Sequence, residues 1–496
     1  MQRPSASVLA PEVNARMRRR RPRFAWRWLL LSVFAPGVFC EQLGFRVASE
    51  ALVWTSLAAL VACGALLWQL ARPLERTLWC WLLLAVFIIG YYAKFWAFAQ
   101  SLGVRGGALG KELAWVTPSD LVRALETTTR AFIAFCITAM VLLRVDDADT
   151  QQLPVRVPRP DVSIHSRILT ILAVMLIGGV ATSIAPLAFG FGQMGLDVQA
   201  LPYRLDALVT RFRIHLLPTA LVFVMWLCEH PSRRRLRMLA MGCLLGFALV
   251  DSVIRTSRGS VLFFCASALL MWLLMRQWTA ARKWFTAAIV GLTVALYPFF
   301  TQLRKLRMQE EQFSAQQLTS GVESSSEGNS GLDALSNVTT RVSGLDGLLH
   351  VLRYEGGSDS SVNFKRAELV FDHRGMTNFM TYNIVGIPES YVEGRPPGVL
   401  GGFVIAGGTG GMYLFLILYT VAAWWGWRAI ARLSIAPVAL GFFGQTLFLY
   451  TSEGRLGVQD PVAWGVTLLV LWGFQRYAAP GMSRDADMAL RRGVKV

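Results

Sequence analysis

Predominantly apolar runs of 16 to 24 residues recur along almost the whole chain, and this feature constrains its fold more than any other. A helix needs about 20 apolar residues to cross the hydrocarbon core of a bilayer, and only helices or closed barrels satisfy their backbone groups there. The runs cover residues 24–43, 51–71, 77–99, 124–143, 168–190, 214–229, 237–254, 260–275, 284–301, 404–427, 434–451 and 461–477. The sequence therefore predicts an all-α polytopic membrane protein with about 12 transmembrane helices. A hydrophobic content of 54% and a mean hydropathy of +0.45 agree with this prediction.

The first run follows the basic stretch "RMRRRRPRFAWRW" and has no small-residue cleavage site, so we expect a retained first helix and a cytoplasmic N-terminus. Alternate connections then carry the positive charge, in "RPLER", "HPSRRRLR", "RQWTAARK", "WRAIAR" and the tail "RRGVKV". Both termini are expected in the cytoplasm. The chain divides into a transmembrane bundle of about nine helices (1–302), a large outer loop (303–398), and further helices with a cytoplasmic tail (399–496).

The net charge of +18 is explained by these basic loops, so nucleic-acid binding is not expected. The seven cysteines all lie within apolar runs and none forms a C-x-x-C pair. We therefore expect neither a zinc site nor a disulfide framework.

Two groups of basic residues lie on the predicted outer side, where the positive-inside rule disfavours positive charge in short loops. The stretch "DSVIRTSRGSVLFF" (251–264) places Arg255 and Arg258 in a tight outer turn, and "QLRKLR" places Arg304 and Arg307 where the large loop begins. One interpretation is that these side chains reach lipid phosphates or pair with carboxylates such as Asp251. The other is that both groups converge on one anion at the outer headgroup level.

Guanidinium groups suit such an anion because they form bidentate, charge-assisted hydrogen bonds with phosphate oxygens. In the same turn, Gly259 permits close approach of a headgroup to the backbone, and Ser257 offers a hydroxyl donor.

Within the large loop, the spacing of leucine and valine over residues 332–352 predicts an amphipathic helix that lies along the membrane surface. His350 is expected at its interface. His373 is a candidate general base for a sugar hydroxyl, although a hydrogen bond with its neighbour Asp372 would also explain it. Four carboxylates remain rival bases: Glu355, Glu368, Asp372 and Glu389.

About a dozen helices, one large outer loop in the C-terminal half, "TSRG" in an outer turn and the glycine-rich "PPGVLGGFVIAGGTGGMY" (396–413) together resemble the Wzy-type O-antigen polymerases. This resemblance implies a GT-C-like glycosyltransferase acting at the periplasmic face of the bacterial inner membrane. Such enzymes transfer a growing glycan from undecaprenyl pyrophosphate to an incoming lipid-linked repeat unit, without a nucleotide sugar, metal or other cofactor. By this likeness Arg258 contacts the pyrophosphate beside Arg255, and Arg341 is another site residue.

The predicted site has two parts. The catalytic residues are Arg258, Arg255, Arg341 and His373. The residues predicted to bind pyrophosphate or glycan are Arg304, Arg307, Ser257, Gly259, Arg374 and Tyr382. The expected partners are the lipid-linked oligosaccharide, membrane lipids, a chain-length regulator and a repeat-unit flippase.

Three alternatives stay open. An O-antigen ligase shares the carrier and the layout but transfers the glycan to lipid A core. A polytopic transporter or flippase would use intramembrane charges such as Glu41, Lys94 and Asp251. A membrane protein with a structural role and no chemistry is the third.

Overall fold

A computed structural model describes residues 50–104, 113, 115–147, 163–189, 205–255, 260–276, 278–296, 299, 344–355, 366–371, 375–386, 396–454 and 459–478. Every regular element within these ranges is helical. The α-helices in chain order are α1 (Glu50–Gln69), α2 (Leu74–Phe87), α3 (Lys94–Val104), α4 (Pro118–Asp147), α5 (Ser163–Phe189), α6 (Leu205–Arg211), α7 (Leu217–Leu227), α8 (Arg234–Arg255), α9 (Ser260–Leu274), α10 (Ala280–Ala295), α11 (Leu345–Glu355), α12 (Gly375–Asn378), α13 (Gly398–Ala431), α14 (Ala436–Glu453) and α15 (Gln459–Ala478). Three π-helical turns (Ile88–Ala93, Phe212–Leu216 and Phe379–Ile384) and two 3₁₀ turns (Pro231–Arg233 and Ala367–Phe371) complete the set.

Eleven of the twelve predicted runs coincide with helices, and the run at 24–43 lies outside the described residues. Within the described ranges, seven helical stretches are long and apolar enough to cross a membrane. They are Leu52–Gln69, Leu74–Ala99, Pro118–Asp146, Ile164–Phe189, Leu205–Leu227, Arg234–Arg255 and Gly398–Ala431. Ser260–Leu274 is a shorter apolar helix. The protein is thus an all-α, multi-pass membrane protein.

Alternate helix ends gather at two opposite faces of the bundle. At one face, the Arg276 Nε atom lies 3.4 Å from a Glu75 carboxylate oxygen, and the Trp427 indole donates to the Glu75 carbonyl at 2.8 Å. Arg282 pairs with Glu229 at the same face. Four of the predicted basic connections therefore meet here, and we call this the basic face.

The opposite end of the bundle is the loop face, because the large loop packs there. The Trp115 ring, in the connection before α4, lies 5.2 Å from the His350 ring of α11. The Arg353 guanidinium sits 4.3 Å above the same Trp115 ring. Nearby, α4 begins with a capping box: Thr117 donates its amide to Asp120 at 2.9 Å, and the Asp120 amide donates back to the Thr117 hydroxyl at 3.3 Å.

The helix α13 holds the bundle together, since it packs against α2, α4, α11 and α14. In turn, α14 packs against α9 through Gly441, where a Cβ atom would come within 2.6 Å of the Ser267 carbonyl oxygen. The C-terminal helices thus share one hydrophobic core with the helices of residues 1–302.

The amphipathic helix of the large loop is present as α11, and its apolar face packs against protein. Its apolar side chains Leu345, Leu348 and Val351 are fully buried against the bundle. The reason is close backbone approach: a Cβ atom at Gly344 would clash with the Gly90 carbonyl, and one at Gly347 with the Pro397 carbonyl. Residues 332–343 of the predicted helix lie outside the described residues.

Candidate functional site

Most of the predicted site lies outside the described residues, so the structure does not test those predictions. The residues outside are Arg258, Arg341, His373, Arg304, Arg307, Ser257, Gly259 and Arg374. The two residues described are Arg255 and Tyr382. Tyr382 lies half-buried in the π turn that packs against α11, whereas Arg255 ends α8, which packs against α5, α7 and α9.

Arg255 is the last residue of α8 and immediately precedes residues 256–259. Its Nη1 atom lies 3.7 Å from Oδ2 of Asp251, one helical turn earlier, and its side chain is 36% exposed. The pairing with Asp251 that the sequence suggested is therefore present. It leaves Arg255 accessible at the loop face.

Asp251 is shared with a second arginine that the sequence analysis missed. The Nε atom of Arg213 lies 2.9 Å from Oδ1 of Asp251, and both side chains are at most 2% exposed. The Nη1 atom of Arg213 is buried without a hydrogen-bond partner. We call these three residues, two arginines and one aspartate, the Asp251 cluster.

A π-helical turn explains how Arg213 enters the bundle. The Leu217 amide donates to the Phe212 carbonyl five residues earlier, so this turn is wider than an α-helical turn. As a result Arg213 and His215 both point inward, and the His215 ring meets Phe442 edge-on at 6.0 Å. The predicted run began at residue 214, just after Arg213, because an arginine breaks an apolar pattern.

A second polar group lies where the large loop meets α13. Gly408 has φ +69° and ψ 177°, which interrupts the helix. The Thr409 amide, which would otherwise donate to the Ile405 carbonyl, donates instead to Oε1 of Glu355 at 3.0 Å. The freed Ile405 carbonyl accepts the Arg366 amide at 3.1 Å. The loop thus supplies both partners of the broken hydrogen bond, and we call this arrangement the α13 break.

The end of α11 opposite the α13 break is anchored by an ion pair. The Lys94 ammonium donates to Oδ1 of Asp346 at 2.7 Å, and Lys94 is 1% exposed. Asp346 also accepts the Gly344 amide at 3.0 Å, so the same carboxylate orders the start of α11. Lys94 was a candidate transport residue, and here it fixes the large loop to the bundle.

The structure describes two of the rival general bases, Glu355 and Glu368. Their hydrogen bonds argue against a role as general base. The Thr409 hydroxyl also donates to Glu355, so its carboxylate is held by two donors. Hydrogen bonds from its own backbone amide and from Arg366 lower the pKa of Glu368 below its usual value. His373, Asp372 and Glu389 lie outside the described residues.

Within the described part of the chain, no three His, Cys, Asp or Glu side chains are grouped to hold a metal ion. The six cysteines described there are free. No family model, curated protein or solved structure matches the chain.

Proposed function

We propose that the protein is a GT-C-like membrane glycosyltransferase that polymerises undecaprenyl-pyrophosphate-linked oligosaccharide repeat units at the periplasmic face of the bacterial inner membrane. One observation carries the proposal: the guanidinium groups of Arg213 and Arg255 lie together around Asp251 at the loop face, and Arg255 immediately precedes the "TSRG" segment. Guanidinium groups at this position favour an anionic ligand because they offer it bidentate, charge-assisted hydrogen bonds.

The reaction needs such a charge. A hydroxyl oxygen of the acceptor sugar attacks the anomeric carbon of the donor glycan, and the bond from that carbon to a pyrophosphate oxygen breaks. Negative charge grows on the departing pyrophosphate, and guanidinium groups fixed in place beforehand stabilise it. Arg258 is the proposed direct contact, with Arg255 beside it, and a loop base such as His373 takes the hydroxyl proton.

The proposed orientation follows from charge. The basic face gathers the arginine-rich connections, as expected for the cytoplasmic side, which leaves the loop face in the periplasm. About twelve transmembrane helices, counting the run at 24–43, place both termini in the cytoplasm. A chain-length regulator and a flippase that delivers repeat units are the proposed partners.

Purified protein in liposomes, supplied with lipid-linked repeat units, tests the activity directly. We expect a ladder of polymer on a gel. Arg258→Ala and Arg255→Gln should slow its formation by about 10²–10³-fold, the cost of removing one fixed donor from a developing anion. Arg276→Gln, which changes an exposed arginine at the basic face, should leave the ladder unchanged.

Full-length polymer from Arg258→Ala would contradict the proposed role of that residue. The ligase alternative is separated by the acceptor: a ligase would make no polymer but would transfer the glycan to lipid A core supplied in the same assay. Uptake of solute without either product would support a transporter instead.

A further inference from the structure

A charged pair lies inside a membrane-spanning segment, on a different helix from those that carry the Asp251 cluster. Arg130 and Glu126 pair one turn apart on α4, within the span Pro118–Asp146. The basic-face end of this span is marked by Asp146, whose Oδ1 atom is 3.7 Å from Nη1 of Arg428. Sixteen residues of helix place Arg130 about 24 Å above that point, several ångströms below the loop-face edge of a core about 30 Å thick.

The positive end of this pair is the more accessible end. The Arg130 side chain is 53% exposed and that of Glu126 only 23%. Glu126 takes only part of the donors of this half-exposed guanidinium, and the remaining donors are costly in hydrocarbon unless they also reach an acceptor. Helical side chains lean toward the N-terminus of their helix, and for α4 that direction leads to the loop face. The guanidinium is therefore directed to the depth of lipid phosphates.

The neighbouring surface of α13 leaves room beside Arg130. Tyr413 lies close to Arg130 and about one turn beyond the α13 break. Gly410 is exposed, and a Cβ atom built there would meet nothing within 4 Å. At Gly411 the nearest atom would be in Phe415, at 3.9 Å. The surface of α13 is therefore unobstructed at these two glycines, just before Tyr413.

We propose that Arg130, Glu126 and Tyr413, beside the unobstructed surface at Gly410 and Gly411, form a lateral binding site for the phosphate group of a lipid in the leaflet at the loop face. The guanidinium offers paired donors to phosphate oxygens, and Glu126 holds it from the protein side. The Tyr413 hydroxyl, close to the guanidinium, can donate its hydrogen to a phosphate oxygen. The site depends on membrane depth and charge and not on glycosyl transfer, so it goes beyond the proposed function.

Two lipids carry this chemistry: an isoprenoid pyrophosphate and an anionic phospholipid. Native mass spectrometry of the detergent-purified full chain, titrated separately with undecaprenyl pyrophosphate and with phosphatidylglycerol, distinguishes them. Arg130→Gln should lower the affinity for the bound lipid at least tenfold, the effect of losing one charge-assisted hydrogen bond. Arg144→Gln removes the same charge from the basic-face end of the same helix and should change nothing.

A loss for undecaprenyl pyrophosphate alone identifies a carrier-lipid site, a loss for phosphatidylglycerol alone a phospholipid site, and a loss for both a general lipid-phosphate site. Unchanged binding of both lipids overturns the proposal. Glu126→Gln provides a second measurement, because it removes the countercharge and should hold or raise the affinity. A loss as large as that of Arg130→Gln would mean that the pair is only structural, and would also overturn the proposal.

Discussion

Asp251 is a single carboxylate that serves two guanidinium groups, so its loss affects the structure and the proposed site in opposite directions. Asp251→Asn leaves the buried Arg213 without a countercharge, and removing one partner of a buried pair costs about 3–5 kcal/mol. We expect the unfolding temperature of the detergent-solubilised protein to fall clearly. Because the cluster becomes more positive, undecaprenyl pyrophosphate should restore stability more in this variant than in the unsubstituted protein.

A matched double variant separates charge from packing. Arg213→Met with Asp251→Leu replaces the buried pair by apolar side chains of similar size and should recover most of the lost stability. Arg276→Gln breaks an exposed pair with Glu75 and should cost less than about 1 kcal/mol. If Asp251→Asn unfolds at the same temperature as the unsubstituted protein, the three side chains do not form the cluster described.

At this scale the sequence offered pairing with Asp251 as one of two interpretations of Arg255, and it did not predict that Arg213 would join them. The sequence signal for a buried Arg213 was weak because "RFRIHL" (211–216) lies at the edge of an apolar run. An arginine at such an edge normally marks the membrane boundary. A π turn moves that residue inward, and a π turn has no clear sequence signature. The charge balance around Asp251 therefore required the three-dimensional structure.

Among the secondary elements, the α13 break depends on one glycine. Gly408 adopts φ and ψ values that residues with a Cβ atom almost never adopt, so Gly408→Ala should cost about 1–3 kcal/mol. It should also favour a continuous helix, in which Thr409 again donates to Ile405 and Glu355 loses its partner. Limited proteolysis would then show faster cleavage of the large loop.

Gly410→Ala is the matched control, because the added methyl group has open space and alanine is the better helix former. Its stability should be unchanged or up to about 1 kcal/mol higher, with normal loop protection. Equal loop protection in the Gly408 and Gly410 variants would show that the break does not hold the loop.

The positions of most elements followed from apolar run length alone, since any crossing helix needs about the same number of residues. The position of α11 did not follow from run length. Its spacing of leucine and valine predicted one apolar face, but not whether lipid or protein would cover it. Contacts of Gly344 with Gly90 and of Gly347 with Pro397 decide that, and they join residues far apart in sequence.

For the whole molecule, the alternation of helix ends places the Asp251 cluster, the α13 break and the Arg130 site toward one face. The basic connections meet at the opposite face. The proposed chemistry therefore depends on which face is periplasmic. If the orientation were reversed, the lipid-linked donor would approach arginine-rich connections and not the large loop.

Cysteine labelling of intact and permeabilised spheroplasts measures this orientation. Glu368→Cys places a thiol on an exposed part of the large loop, and Arg276→Cys places one on the exposed basic face. A membrane-impermeant maleimide should label the Glu368 variant in intact spheroplasts and the Arg276 variant only after permeabilisation. Five of the six described native cysteines are buried, which keeps the background low, and the unsubstituted protein controls for the rest. Labelling in the reverse order would place the large loop in the cytoplasm, where a periplasmic polymerase has no substrate.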